Sequence, residues 1–296
     1  MPRERPSVHP GSLDWPGLLL VAAGVPLLIY GLSAWGERGG ASGRSGGGLG
    51  GGLGGGLGGG LGGTLGPVAA GALALAAFAW HARRTAHPVL DLRLFANPAY
   101  AAATVTAALT GAAMFGSTLL FPLYFQVGRD TGVTATGLAL IPLGLGTALL
   151  LPVSGRLTDR FGGGVVSAYG GLAAVATTVP FAVLGTDMNT AAVEGLLLLR
   201  GMALALAVTP VGIAAYQAVT PEQLADATTQ VNILQRLGGA LGGTVFAVVL
   251  TTRLPLGVEG AFHAAFRWLT AASVLGLAGA AWLTVAQRRR RRAEGG

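Results

Sequence analysis

Eight apolar segments, at roughly residues 15–35, 64–82, 99–127, 133–154, 164–186, 191–219, 225–251 and 268–286, alternate with short polar stretches along the chain. A helix rising about 1.5 Å per residue crosses about 30 Å of hydrocarbon in some 20 residues, so each segment is long enough to span a bilayer. With no water to satisfy backbone amides there, a spanning segment of this kind must be helical. The pattern predicts an all-α polytopic membrane protein with about eight transmembrane helices. The second segment is the weakest, because its first part is still rich in glycine. One short charged stretch, Gly155-Arg156-Leu157-Thr158-Asp159-Arg160-Phe161-Gly162, reads as a hairpin turn at headgroup level.

Composition strengthens that reading. Charged residues make up 10% of the chain and hydrophobic ones 52%, whereas a soluble globule of similar length needs about 25% charged residues to cover itself. Cysteine is absent, which excludes disulfides, thiolate metal sites and a cysteine nucleophile. The four histidines, His9, His81, His87 and His263, lie in loops or at span ends without metal-ligand spacing, so no metal site is expected. With no lysine there is no Walker motif, and any transport must draw on an ion gradient rather than ATP. An enzyme is not expected, since the acidic residues are scattered singly among the loops.

The arginines predict the topology. With eight spans both termini share one side, which collects Arg3, Arg5, Arg83, Arg84, Arg93, Arg156, Arg160 and Arg288 to Arg292, against Arg38, Arg44, Arg129, Arg253 and Arg267 on the other. Short arginine-rich loops stay cytoplasmic, so both termini and the Gly155–Gly162 turn are expected there, in a multi-pass plasma membrane protein. The arginine tail reads as a stop signal beside anionic lipid, with no nucleic-acid role.

These cuts divide the chain into a cytoplasmic tail (1–14), two transmembrane helices joined by a glycine-rich loop (15–94, loop 36–66), a six-helix unit (95–287) and an arginine-rich tail (288–296). Within the loop, Leu49, Leu53, Leu57, Leu61 and Leu65 recur at a period of four. The three glycines in each repeat cost about 0.8–1.0 kcal/mol apiece relative to alanine, so a stable helix is not expected. Formal matches to a nucleophile elbow and dinucleotide fingerprints in this tract are products of its glycine content.

Several motifs resemble those of one family. Gly155 to Gly162 resembles the loop signature of the major facilitator superfamily. Pro88-Val89-Leu90-Asp91-Leu92-Arg93-Leu94-Phe95, then Phe121-Pro122-Leu123-Tyr124-Phe125-Gln126 with Gly137 and Ile141-Pro142, is similar to the fourteen-helix drug:proton antiporter branch. Leu199-Arg200-Gly201 running to Thr209-Pro210 resembles the internal-repeat copy of that family's arginine-bearing helix. The resemblance implies that the first two spans match the central linker helices, and the last six one transporter bundle, the C-terminal one. It also implies that the N-terminal bundle is missing, so a partner half, a partner chain or a homodimer must complete the substrate path.

The resemblance further implies proton-coupled export of drugs or small metabolites without a cofactor. The alternative is a non-transporting remnant or membrane scaffold. In the family the Gly155–Gly162 turn latches helix ends, which points to Gly155, Asp159, Arg160 and Gly162 as a conformational latch. Gly163 and Gly164 stand where the family has basic residues.

Two arginines lie inside spans, where a charge costs about 2.5–3.5 kcal/mol and normally faces a bundle interior or water-filled cavity. Around Arg236, the residues Thr228, Asn232, Gln235 and Gly239 fall at successive helical spacings and give that helix one polar face. Arg236, Asn232, Gln235, Arg200, Tyr124 and Gln126 are the candidate substrate-cavity residues. Gly238, Gly239, Gly242 and Gly243 form small-xxx-small pairs suited to close helix packing. Thr220-Pro221-Glu222-Gln223 reads as a capped helix start.

Overall fold

The computed structural model describes residues 15–40, 62–84, 92–186 and 188–294, and these form helices without any strand. The helices are α1 (Trp15–Gly40), α2 (Gly62–Arg84), α3 (Pro98–Leu123), α4 (Val133–Ala139), α5 (Ile141–Phe161), α6 (Gly163–Leu184), α7 (Thr190–Tyr216), α8 (Leu224–Arg253) and α9 (Val258–Glu294). Among the described residues, six helices are long and apolar enough to cross a membrane: α3, α4 with α5, α6, α7, α8 and α9. Helices α1 and α2 carry shorter apolar runs, Trp15–Gly31 and Gly66–Phe78. The N-terminal tail, the Pro88–Asp91 part of one motif, and residues 41–61 of the glycine tract lie outside the described residues.

The six long helices form one bundle made of two triplets, α3, α5, α6 and α7, α8, α9. The main pairings are α3 with α8, α5 with α7, α6 with α9, α3 with α9, and α6 with α7. Exchanging the triplets leaves this scheme unchanged, because α3–α8 maps onto α7–α5 and α3–α9 onto α7–α6. Such pairing is the signature of an internal repeat. Helices α1 and α2 pair with each other, and α1 also packs on α8.

Local sequence explains where the helices begin and stop. Asn97 caps α3 by accepting from the amides of Ala99 (3.0 Å) and Tyr100 (3.4 Å), with Pro98 in the first position. Ahead of α8, Thr220 and Gln223 form the expected capping box, the Thr220 amide donating to Gln223 Oε1 at 3.3 Å. At the end of α3 the chain passes through one π turn, Tyr124–Gly128.

Three boundaries differ from the sequence reading. Helix α9 starts at Val258 rather than near residue 268. Glu259, His263 and Arg267 break the apolar run but sit at i, i+4 and i+8, on one helix face. His263 Nδ1–H donates to the Ala182 carbonyl at 2.9 Å, and its Nε2 lies 3.6 Å from Glu259. Helix α1 runs to Gly40 and α2 starts at Gly62, so part of the expected 36–66 loop is helical. The charged stretch before Gly162 is also helical: α5 continues to Phe161 and α6 begins at Gly163. The turn is thus the single residue Gly162, whose φ of 90° suits glycine.

Glycine lets the pairs approach. A Cβ on Gly146 would land on the Leu198 carbonyl, and one on Gly201 on the Leu143 carbonyl, so α5 and α7 touch backbone to backbone. Gly238 meets Ala108 of α3 in the same way, and Gly242 packs on Ala112. Hydroxyls then bridge the helices: Thr147 donates to Gly201 O (3.1 Å), Ser154 to Ala205 O (2.9 Å) and Ser167 to Ala207 O (2.8 Å). Without a hydrophobic drive between helices in lipid, such packing and bonding carry association.

Overpacking such a contact costs about 1–3 kcal/mol. We therefore expect Gly201→Val to lower the thermal unfolding midpoint in detergent, and Gly144→Val, where a Cβ meets open space, to leave it near wild type.

Candidate functional site

The six candidate cavity residues fall in three places. Arg200, on α7, is fully enclosed within the bundle. One guanidinium nitrogen, Nη1, donates to the Ala174 carbonyl at 2.9 Å and to the Thr178 hydroxyl, both on α6. The other, Nη2, donates to the Ser117 hydroxyl of α3 at 2.6 Å. Ser117 and Thr178 donate their own protons to the Ala113 and Ala174 carbonyls at 2.6 Å, which turns their lone pairs toward the guanidinium. The Phe121 ring lies 5.7 Å from the guanidinium carbon, close enough for a cation–π contact. Nε–H has no partner among the described residues. Arg200 borders a cavity of about 20 Å³, lined also by Thr110, Gly171, Ser273 and Gly276, which is room for one water molecule. Three helices therefore converge on one buried cation, through hydroxyls and a carbonyl rather than a carboxylate.

Arg236 and Asn232 lie elsewhere, on the exposed side of α8. The polar face read from the sequence is divided. Its Gln235 and Gly239 side packs on α3, against Gly111 and Phe115, while Asn232 and Arg236 point away from the bundle. Asn232 Nδ2 donates to the Thr228 carbonyl one turn earlier, at 2.8 Å. Gln235 meets α3 at Gly111 and Arg200 meets it at Ser117. Six residues of α3 separate these levels, about 9 Å along the axis.

Tyr124 and Gln126 stand at the end of the bundle where α3 stops. Tyr124 is fully buried, its ring 5.4–5.9 Å from those of Phe125, Phe181, Phe262 and Phe266, and its hydroxyl donates to Gly185 O at 3.1 Å. Beside it Arg129 lies 6.0 Å from the Tyr124 ring and donates to the Met188 carbonyl. This cluster pins the α6–α7 connection. Gln126 is exposed.

The candidate latch residues lie at the opposite end. Asp159 and Arg160 are exposed in the last turn of α5, Gly155 is half-buried one turn earlier, and Gly162 is buried at the bend. Asp159 therefore sits near a helix C-terminus, electrostatically the less favourable end for a carboxylate. The Arg160 guanidinium lies 5.4 Å from the Phe161 ring. Helix α5 is also the least enclosed span, with 11% of its apolar window buried against 22% for α8 and at least 39% for the other four.

Sequence reasoning missed Ser117, Thr178 and Gln230. Gln230 is fully buried on α8 and accepts from the Tyr100 hydroxyl at 3.0 Å. The available signal was a hydroxyl or amide among small residues within an apolar span. Among the described residues no three His, Asp or Glu side chains gather as a metal site.

Removing one acceptor leaves a buried donor unmade, at a cost of about 1–2 kcal/mol. Ser117→Ala and Thr178→Val are each expected to lower the unfolding midpoint in detergent, and the same substitution at Thr118, exposed on α3, to leave it unchanged.

Comparison with known proteins agrees with this architecture. The profile of the Major Facilitator Superfamily matches residues 19–243. The chain is 31% identical to the "Multidrug resistance protein B homolog" of Mycobacterium tuberculosis, over 84% of this chain and 43% of that protein. It is 29% identical to "Multidrug resistance protein Stp" of the same organism, over 64% of this chain and 35% of the relative. With "Lincomycin resistance protein LmrB" of Listeria monocytogenes it shares 25% identity over 62% and 39% of the two chains. The chain thus spans about two fifths of the length of these curated relatives. A bundle of six membrane-spanning helices built as a paired repeat, matched by the family profile over most of its length, makes this multi-pass membrane protein a member of the Major Facilitator Superfamily of transporters.

Proposed function

We propose that this chain forms one helical bundle of a drug:proton antiporter, and that it exports drugs or small metabolites when a second bundle completes the path. The carrying observation is the outward face of α8, where Arg236 and Asn232 are exposed on a span that the bundle leaves largely open. A charge at that depth needs a polar surface opposite. A second bundle would supply it, whether from a longer polypeptide, a partner chain or a second copy. The drug-resistance names of the relatives, and their greater length, support this reading.

In this account Arg236 and Asn232 line the path, while Arg200 holds the bundle rigid as it rocks. Gly155, Asp159, Arg160 and Gly162 at the open end of α5 meet the second bundle in one of the two access states. Energy comes from an ion gradient, with the proton-carrying acid on the other bundle. The arginine-rich end of the bundle, with Arg93, Arg156, Arg160 and Arg288, faces the cytoplasm of the cell membrane.

Efflux of a fluorescent cationic drug from energised vesicles tests the proposal. The chain alone is expected to give none, and the chain fused behind the N-terminal bundle of the mycobacterial relative to give efflux abolished by a protonophore. In that fusion Arg236→Ala should cut the rate at least tenfold with an unchanged unfolding midpoint. Proton-driven efflux by this chain alone as a monomer would contradict the proposal.

A further inference from the structure

At the arginine-rich end of the bundle a groove of about 710 Å³ opens between the start of α3 and the last turns of α9. Its α9 wall consists of Trp282, Val285, Ala286, Arg289 and Arg290. These positions follow the i, i+3, i+4, i+7, i+8 spacing of one helix face. The face changes character along its length. Trp282 and Val285 are each 47% exposed, so the lower part is an apolar surface open to the bilayer. Arg289 and Arg290 lie about 10 Å further along the axis than Trp282, enough to reach from the hydrocarbon into the headgroup layer, about 5–8 Å deep on each side.

The lining of the groove is cationic among the described residues. Among the described residues no carboxylate lines the groove. Arg290 donates to the Gln217 carbonyl at the end of α7 at 3.4 Å. Arg289 is exposed and makes no hydrogen bond or ion pair among the described residues. The facing wall adds Pro98 and Asn97, whose side chain is already committed to capping α3 and to the Ala218 carbonyl at 2.6 Å. That wall is the positive end of α3.

We propose that this groove is a binding site for one anionic phospholipid of the adjoining leaflet. Its phosphodiester lies between Arg289 and Arg290, and one acyl chain runs down Trp282 and Val285. Guanidinium groups match phosphate oxygens in charge and geometry, and an interfacial tryptophan sits where headgroup meets chain. Both ends of such a lipid are recognised, which separates this site from the diffuse attraction of any arginine tail to an acidic membrane. A free phosphate would satisfy only the arginines and leave the apolar wall bare. The site lies beside the α7–α8 connection, so an occupied groove would brace α3, α7 and α9 at one end.

Native mass spectrometry of the purified full chain, titrated with phosphatidylglycerol or phosphatidylcholine of matched chains, tests the site. One phosphatidylglycerol per chain should be retained on the order of tenfold better than phosphatidylcholine. Arg289→Gln, which removes no hydrogen bond or ion pair among the described residues, should erase most of that preference, and Arg289→Gln with Arg290→Gln all of it. Arg288→Gln with Arg292→Gln, the same loss of charge outside the groove lining, should leave it intact. Trp282→Ala should weaken retention of both lipids. Equal losses from the two double variants, or equal retention of the two lipids by wild type, would overturn the proposal. So would displacement of phosphatidylglycerol by millimolar inorganic phosphate, which would mark a site for the free anion.

Discussion

The bundle is organised around one buried guanidinium. Arg200 sits where α3, α6 and α7 meet, and a charge there is tolerable only if donors on the guanidinium find acceptors within the protein. Ser117, Thr178 and the Ala174 carbonyl supply them, which fixes the rotation of three helices about their own axes. A helix turned by one residue position, about 100°, would carry its acceptor out of reach. Hydrophobic matching specifies nothing so particular in lipid, where most side chains are as well solvated by acyl chains as by each other.

From that point the remaining contacts follow as close approaches. Small residues surround the guanidinium and its cavity, and glycines at 146, 201, 238 and 242 bring α5 to α7 and α8 to α3. The repeat makes these two pairs equivalent, and they flank the bundle. Helices α5 and α8 are the spans with most of their surface uncovered, although α1 also packs on α8. The latch residues are at the end of one and Asn232 with Arg236 on the face of the other. The architecture thus leaves these charged residues exposed on the two spans where a second bundle would meet it.

Much of this was legible in the sequence. Six of the eight expected spans, the capping box at Thr220, and the close-packing glycines of α8 follow from hydropathy, cap chemistry and small-residue spacing. The helical extent of α9 did not, because Glu259, His263 and Arg267 interrupt the apolar run while sharing one helix face. The turn at Gly162 was read too wide for a related reason, since charged residues in a last helical turn look like loop when only composition is counted. Placement of the candidate residues was the least accessible level. Arg200 and Arg236 are alike in sequence, each a lone arginine in an apolar span. The difference lies in what faces them: hydroxyls on α3 and α6 for Arg200, open space for Arg236.

The central claim is that Arg200 is a sealed structural hub and that the path runs over the outward face of α8. The natural absence of cysteine makes single-cysteine accessibility in the completed two-bundle protein the most direct measurement. Small water-soluble thiosulfonate reagents should modify Asn232→Cys and Arg236→Cys and leave Ser117→Cys and Thr178→Cys unreacted. Rapid modification at 117 and 178, with 232 and 236 inert, would contradict the account.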